Sequence, residues 1–209
     1  TAVTDALGRT RRFEYDALGR KVKEIDPLGG VTITTYDAME NVLWVTDALG
    51  HVTRYEYDAL GRRIKSIDEL GQVTTIEYDA VGNVVAETDP LGRTTRYVYD
   101  ARNRRIQTID ALGQSTLLGY DLANNVLSAT DALGNVTRYE YDAAGREIKE
   151  INPRGYETVY AYDAADQRIA ATDPAGRTTR FEYDLLGRQV REIDSLGSVT
   201  TTQYDGAGN

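Results

Sequence analysis

Residues 5–25 read Asp-Ala-Leu-Gly-Arg-Thr-Arg-Arg-Phe-Glu-Tyr-Asp-Ala-Leu-Gly-Arg-Lys-Val-Lys-Glu-Ile, and this stretch decides the fold. It contains Asp-Ala-Leu-Gly twice, at residues 5–8 and 16–19, each followed by a short segment with apolar residues spaced along it. Asp opening a four-residue corner offers an acceptor to the backbone two residues on, and Gly at the fourth position tolerates a left-handed backbone. A type I turn that ends in a bulge makes these two demands. Between the corners, Arg11, Phe13 and Tyr15 share one face while Thr10, Arg12 and Glu14 share the other, the alternation of a strand. The seven residues from Arg9 to Tyr15 and the six from Arg20 to Ile25 are too few for helices and ordinary for strands. The stretch is therefore turn, strand, turn, strand.

Outward from there the same unit recurs. Tyr-Asp begins at Tyr15, Tyr36, Tyr57, Tyr78, Tyr99, Tyr120, Tyr141, Tyr162, Tyr183 and Tyr204, always 21 residues apart. The second corner keeps step, with glycines from Gly8 and Gly29 to Gly176 and Gly197. All four prolines, Pro27, Pro90, Pro153 and Pro174, follow the Asp or Asn that opens this second corner, where a φ near −65° is wanted. The fourth position of the Tyr-Asp corner is Gly, Asn or Asp in every copy except Glu40. As structural markers of the repeat we single out Tyr15, Asp16 and Gly19; Tyr57, Asp58 and Gly61; Tyr99 and Asp100; Tyr141, Asp142 and Gly145; and Tyr183, Asp184 and Gly187. The expectation is an all-β chain in which residues 1–209 form a single array of about ten tandem β-hairpin repeats of 21 residues, paired as an antiparallel sheet.

Within the shorter strands one site is aliphatic in all nine complete copies: Val22, Leu43, Ile64, Val85, Ile106, Leu127, Ile148, Ile169 and Val190. These are expected to be core. Thr fills the position of Arg11 in the other nine units, from Thr32 to Thr200, a β-branched choice suited to a pleated surface. A 42-residue superperiod overlies the repeat. Arg20, Arg62, Arg104, Arg146 and Arg188 follow the first corner in one set of units; Asn41, Asn83, Asn125, Gln167 and Asn209 follow it in the other. Likewise Ile25 and its equivalents alternate with Thr46 and its equivalents before the second corner. The segment Val42-Leu43-Trp44-Val45 is apolar on both faces, so alternate hairpins are expected to contact an additional layer or enclosed material.

Composition limits the chemistry. A formal charge of −9 and a pI near 4.7 argue against a nucleic-acid or anionic-membrane surface. Cysteine is absent, which removes disulfides, thiolate metal sites and a cysteine nucleophile. No apolar run is long enough for a membrane-spanning helix, and residues 1–30 lack the pattern of a signal peptide. Catalysis needs unlike groups at one place, whereas a repeat array supplies like groups at intervals, so no enzymatic role and no cofactor are expected. His51, the one histidine, stands where equivalent units have Arg9, Arg93 and Arg177 and is expected to be a surface strand residue. The recurrent aspartates are turn acceptors in preference to calcium ligands. Arg12, Arg54, Arg96, Arg138 and Arg180, beside Glu14, Glu56, Glu140 and Glu182, are expected to form cross-strand ion pairs. The Tyr-Asp tyrosines are expected to form a packed ladder with buried rings and partnered hydroxyls; Trp44, the single tryptophan, is too little for an aromatic sugar cradle.

The string Tyr-Asp-Ala-Leu-Gly-Arg at residues 15–20 and 57–62, nearly repeated at 183–188, resembles the signature of the Rhs or YD-repeat family. That family includes bacterial polymorphic toxins, the shell-forming part of ABC toxin complexes, and teneurins. The resemblance implies a β-sheet that spirals into a curved wall, a partial β-shell closed in bacterial members around a C-terminal toxin. By this implication the partners are the parent's own C-terminal toxin or effector domain, neighbouring repeats and secretion-system components. The location implied is secreted or cell-surface, as part of a larger bacterial protein made in the cytoplasm. The rival expectation is a carbohydrate- or protein-binding cell-surface module. Asp26-Pro27-Leu28-Gly29 and Asp89-Pro90-Leu91-Gly92 are similar to the sequence at which such shells cut themselves, but they fall in register with ordinary turns. About 20 strands at roughly 4.8 Å extend about 96 Å, enough for one ring about 30 Å across. The chain looks like a fragment of a longer shell, and its unpaired strand edges are expected to let it self-associate.

Overall fold

The corners form as their residues require. In the computed structural model, which describes residues 1–206 and 208, Asp16 takes the Gly19 N–H on its carbonyl at 3.0 Å and gives its own N–H to the Arg20 carbonyl at 3.0 Å. Gly19 then has φ 80°, the left-handed conformation that closes a three-residue hairpin loop. The second corner repeats this: Gly29 bonds to the Asp26 carbonyl at 3.0 Å and has φ 89°. Where the fourth residue is not Gly, the backbone is unchanged: Glu40, Asn103, Asn124 and Asp166 all take φ between 60° and 75°.

Between the corners lie strands β1 (Ala2–Thr4), β2 (Thr10–Tyr15), β3 (Lys21–Ile25), β4 (Val31–Tyr36), β5 (Val42–Thr46), β6 (Val52–Tyr57) and β7 (Arg63–Ile67). They continue as β8 (Val73–Tyr78), β9 (Val84–Thr88), β10 (Thr94–Tyr99), β11 (Arg105–Ile109), β12 (Ser115–Tyr120) and β13 (Val126–Thr130). The last are β14 (Val136–Tyr141), β15 (Glu147–Ile151), β16 (Glu157–Tyr162), β17 (Arg168–Thr172), β18 (Thr178–Tyr183), β19 (Gln189–Ile193) and β20 (Val199–Thr201). No helix occurs among the described residues, and all twenty strands belong to one sheet. The first residue of each expected segment, such as Arg9 or Arg20, belongs to the corner and not to the strand.

The chain divides into two compact units, Thr1–Asn103 with Ile109–Gly113 and Arg104–Thr108 with Gln114–Asn209. In the first, β1 to β10 form an antiparallel meander in which each strand pairs with its neighbours in the chain. In the second, β12 to β20 do the same. A bulge precedes the Tyr-Asp corners at Tyr15, Tyr36, Tyr57, Tyr78, Tyr120, Tyr141, Tyr162 and Tyr183, for example between Glu14 and Tyr15 and between Glu56 and Tyr57. The bulge adds a residue to the shorter strand and strengthens the local twist.

Within each unit the sheet is a single layer, since its strands touch only strands adjacent in the chain. That corrects the expectation of a core. Ala86 is the only buried apolar residue described. Val22, Leu43, Ile64, Val85, Ile106, Ile148 and Val190 are half-buried, and Leu127 and Ile169 are exposed. These side chains pack sideways against their neighbours in the sheet, with nothing stacked above them. Val42, Leu43 and Val45 are half-buried while Trp44 is 41% exposed, and no second layer within their unit covers them.

Candidate functional site

The marker residues build a seam that runs from hairpin to hairpin. Asp58 Oδ1 accepts the N–H groups of Leu60 at 2.9 Å and Arg62 at 3.0 Å, and its Oδ2 accepts Arg62 Nε at 2.7 Å. Asp16, Asp142 and Asp184 hold Arg20, Arg146 and Arg188 in the same way. Asp100 accepts the Arg102 N–H at 2.8 Å. Gly61, Gly145 and Gly187 close their corners at φ 75°, 81° and 78°. These bonds favour the ionised carboxylate. The Arg62 side chain at Asp58, and the Arg20, Arg146 and Arg188 backbone N–H groups at Asp16, Asp142 and Asp184, hold those carboxyls below their ordinary range.

The tyrosines join one hairpin to the one before. The Tyr57 hydroxyl donates to the Val42 carbonyl at 2.9 Å, fifteen residues back. Tyr99, Tyr141 and Tyr183 donate to Val84, Val126 and Arg168 at 2.9, 3.0 and 2.9 Å. Tyr36, Tyr78, Tyr120, Tyr162 and Tyr204 make the same bond. Tyr15 is 49% exposed and has no such acceptor among the described residues. The hydroxyls thus find partners as expected, but the nine bonded rings are half-buried and not buried, because a one-layer sheet covers only their edges. Partial burial still pushes the phenols of Tyr57 and Tyr141 up, so they remain neutral donors.

The superperiod has a physical basis in the arginines. Arg20 reaches forward to the Asp37 carbonyl at 2.8 Å and lies 4.8 Å from the Tyr36 ring centre. Arg62, Arg104 and Arg146 bond to Asp79, Asp121 and Asp163 and stack on Tyr78, Tyr120 and Tyr162. In the alternate units Asn41, Asn83 and Asn125 donate back to Oδ2 of Asp37, Asp79 and Asp121 within their own corner, at 3.0, 2.8 and 2.9 Å, and of the three Asn83 also reaches forward, to Asn103 Oδ1 at 3.1 Å. Asn209 lies outside the described residues. Sequence reasoning noticed the alternation of Arg and Asn but missed the forward reach; the Tyr in the next corner was its available signal.

The ion pairs need correction. Glu14, Glu56, Glu140 and Glu182 pair across the strand with Lys23, Lys65, Lys149 and Arg191 at 2.9, 2.9, 3.7 and 3.0 Å. Arg12, Arg54, Arg96, Arg138 and Arg180 are exposed and form no ion pair among the described residues. Register decides this, since Glu14 sits opposite Lys23 whereas Arg12 sits opposite Ile25. His51 also differs, lying in a corner and not in a strand, with Nδ1 3.1 Å from Asp47 Oδ2. Among the described residues no cluster of three or more His, Cys, Asp or Glu is placed to hold a metal ion, and no buried side-chain polar atom lacks a partner. No helix among them is long and apolar enough to cross a membrane.

The description of one family, the RHS repeat, matches residues 1–31, 36–73, 78–115, 120–158, 147–178 and 162–199. The chain belongs to the RHS repeat family. No curated protein matches it. Among solved structures this RHS chain is similar to one in the Photorhabdus luminescens Tc holotoxin pore, at 20% identity and TM-score 0.62, covering 100% of this chain and 14% of that one. It is similar to a chain of the TcdB2-TccC3-Cdc42 crystal structure at 20% identity and TM-score 0.63, with the same coverage. A third, TcdB2-TccC3 without its hypervariable C-terminal region, matches at 18% identity and TM-score 0.54 over 92% of this chain and 14% of that one. The RHS chain therefore shares their fold and spans about a seventh of their length.

Proposed function

We propose that this RHS array is a structural element, a length of curved wall in a hollow shell that encloses or presents a C-terminal toxin or effector domain of its parent polypeptide. The array works by containment: its wall separates an attached effector from targets and proteases until delivery. The observation that carries this reading is the seam, in which nine tyrosine hydroxyls bind carbonyls of the preceding hairpin. Such a seam spends the recurrent polar residues on joining units, which is what a wall needs and a catalyst does not. The tyrosine, aspartate and glycine markers are accordingly scaffold residues, and residues 1–209 act as one array. Its partners are the effector, neighbouring repeats of the parent and the machinery that delivers a product made in the cytoplasm and secreted.

Limited proteolysis of the full parent polypeptide tests this. The effector segment is expected to survive protease while the shell is intact and to be degraded once the shell is opened by denaturant. Degradation at the rate of the free effector domain, with the repeats still folded, would refute containment.

A further inference from the structure

Strands β3, β7, β11, β15 and β19 begin at equivalent places, with Lys21, Arg63, Arg105, Glu147 and Gln189. Three residues on, the same strands carry Glu24, Ser66, Thr108, Glu150 and Glu192. These two positions meet. Lys21 Nζ lies 2.6 Å from Glu24 Oε2, and Gln189 Nε2 donates to Glu192 Oε2 at 3.4 Å. The first position also faces the aromatic residue of the preceding strand, since Lys21 stands 5.6 Å from the Phe13 ring centre and the Arg63 guanidinium 5.5 Å from that of Tyr55. A cation or a hydrogen-bond donor suits such a place, because a ring face is electron-rich. Of the five strands β15 alone puts a carboxylate there, and Glu150 adds a second.

Both glutamates are half-buried, and neither side chain has a hydrogen bond or ion pair among the described residues. Tyr139 and Tyr141 face them from β14, Tyr160 and Tyr162 from β16, and Arg168 from β17. Arg168 lies over the Tyr160 and Phe181 rings, 5.5 and 5.2 Å from their centres. The other nearby cations are taken: Lys149 is 3.7 Å from Glu140 and 3.3 Å from Glu157, and Arg146 is held by Asp142 and Asp166. Burial, and then the charge of Glu150, push the Glu147 carboxyl above its ordinary value, with Arg168 opposing. The bond from Lys21 does the reverse to Glu24, holding it below its ordinary value.

We propose that Glu147 is an acid-responsive switch: its carboxylate, set against that of Glu150 and the flanking tyrosines, weakens the pairing of β14 to β16 at neutral pH, and a proton taken from solvent in mild acid tightens it. The folded chain holds this proton more firmly than the unfolded chain does. The weakening is therefore complete above the raised folded value and gone below the ordinary value of 4.5. That sign is opposite to the sign of the corner aspartates, whose support is lost only at lower pH.

Carboxyl-carbon NMR of the full chain tests the site, with the Glu147 signal assigned by its loss in Glu147→Gln. Its midpoint is expected above 4.5 and should fall in Glu150→Gln, which removes the like charge. A midpoint at or below 4.5, or one that Glu150→Gln leaves in place, overturns the proposal. Hydrogen exchange, corrected for the intrinsic effect of pH on amide rates, reads the mechanical consequence. From about pH 7 to about pH 4.5, opening of Glu147–Ile151 should fall at least about twofold, while opening of Lys21–Ile25 should not fall. Glu147→Lys sets opposite charges at the pair, so Glu147–Ile151 should open less at about pH 7 and lose its tightening in acid. Opening of Glu147–Ile151 that stays constant or rises over this range in the unaltered chain, or acid tightening that survives Glu147→Lys, would refute the switch.

Discussion

Removing the Tyr57 hydroxyl with Tyr57→Phe deletes a single bond, the 2.9 Å donation to the Val42 carbonyl, and leaves the ring in place. The bond is part-buried, so the carbonyl it leaves is only partly recovered by water. A net loss of about 1 kcal/mol follows, within a range of about 0.5–1.5. In a repeat array that loss falls on one junction, between the hairpin holding β5 and the one holding β6, and not evenly on the chain. In urea, at a slope of about 2 kcal/mol/M, the midpoint should fall by about 0.5 M. Hydrogen exchange read by peptide mass should show Val42–Thr46 opening about fivefold more often, as about 1 kcal/mol requires, while Val126–Thr130 is unchanged. Tyr15→Phe is the control, because Tyr15 is exposed and its hydroxyl has no such acceptor among the described residues. Equal destabilisation by the two substitutions, or none by Tyr57→Phe, would refute the seam as a source of stability.

Acid should weaken the array. The turn carboxyls of Asp16, Asp58, Asp142 and Asp184 are held below their ordinary values in the folded chain. Their contribution is therefore complete above the unfolded value near about 4 and is lost as pH falls through the lower folded values, so urea midpoints measured downward from about pH 5 should drop steeply below about pH 4. Glu40→Gly relieves a non-glycine residue at φ 68° and should raise stability by about 0.5–1 kcal/mol, the left-handed penalty less the added entropy of glycine; an unchanged or lower thermal midpoint would contradict it. Gly61→Ala does the reverse. At φ +75°, with a Cβ that would stand 3.4 Å from Asn41 Oδ1, it should cost about 1–2 kcal/mol in the same assay.

The features legible in sequence were those whose chemistry is local. Asp16 and Gly19 state a corner by themselves, since one needs an adjacent N–H and the other a left-handed backbone, and the all-β hairpin array follows from their repetition. What depended on register was misread. The alternation within β2 puts Arg12 and Glu14 on one face, but only the pairing of β2 with β3 shows that Lys23, and not an arginine, meets Glu14. Layer number was also out of reach. An aliphatic residue at Val22 and its equivalents marks a packed site, yet the pattern is the same for a two-layer core and for a one-layer sheet packed edge to edge. The forward reach of Arg62 to Asp79 likewise requires two corners to be adjacent in space, which no window of sequence within one unit contains.

The central claim is that successive hairpins are held in lockstep by a tyrosine reaching back fifteen residues. A crystal structure of the chain measures it directly, through the hydroxyl-to-carbonyl distances of the nine tyrosines from Tyr36 to Tyr204. The account predicts a distance near 3 Å at every one, as between Tyr99 and Val84 at 2.9 Å. Hydroxyls turned to solvent, or strands paired in a register that places another residue opposite them, would contradict it.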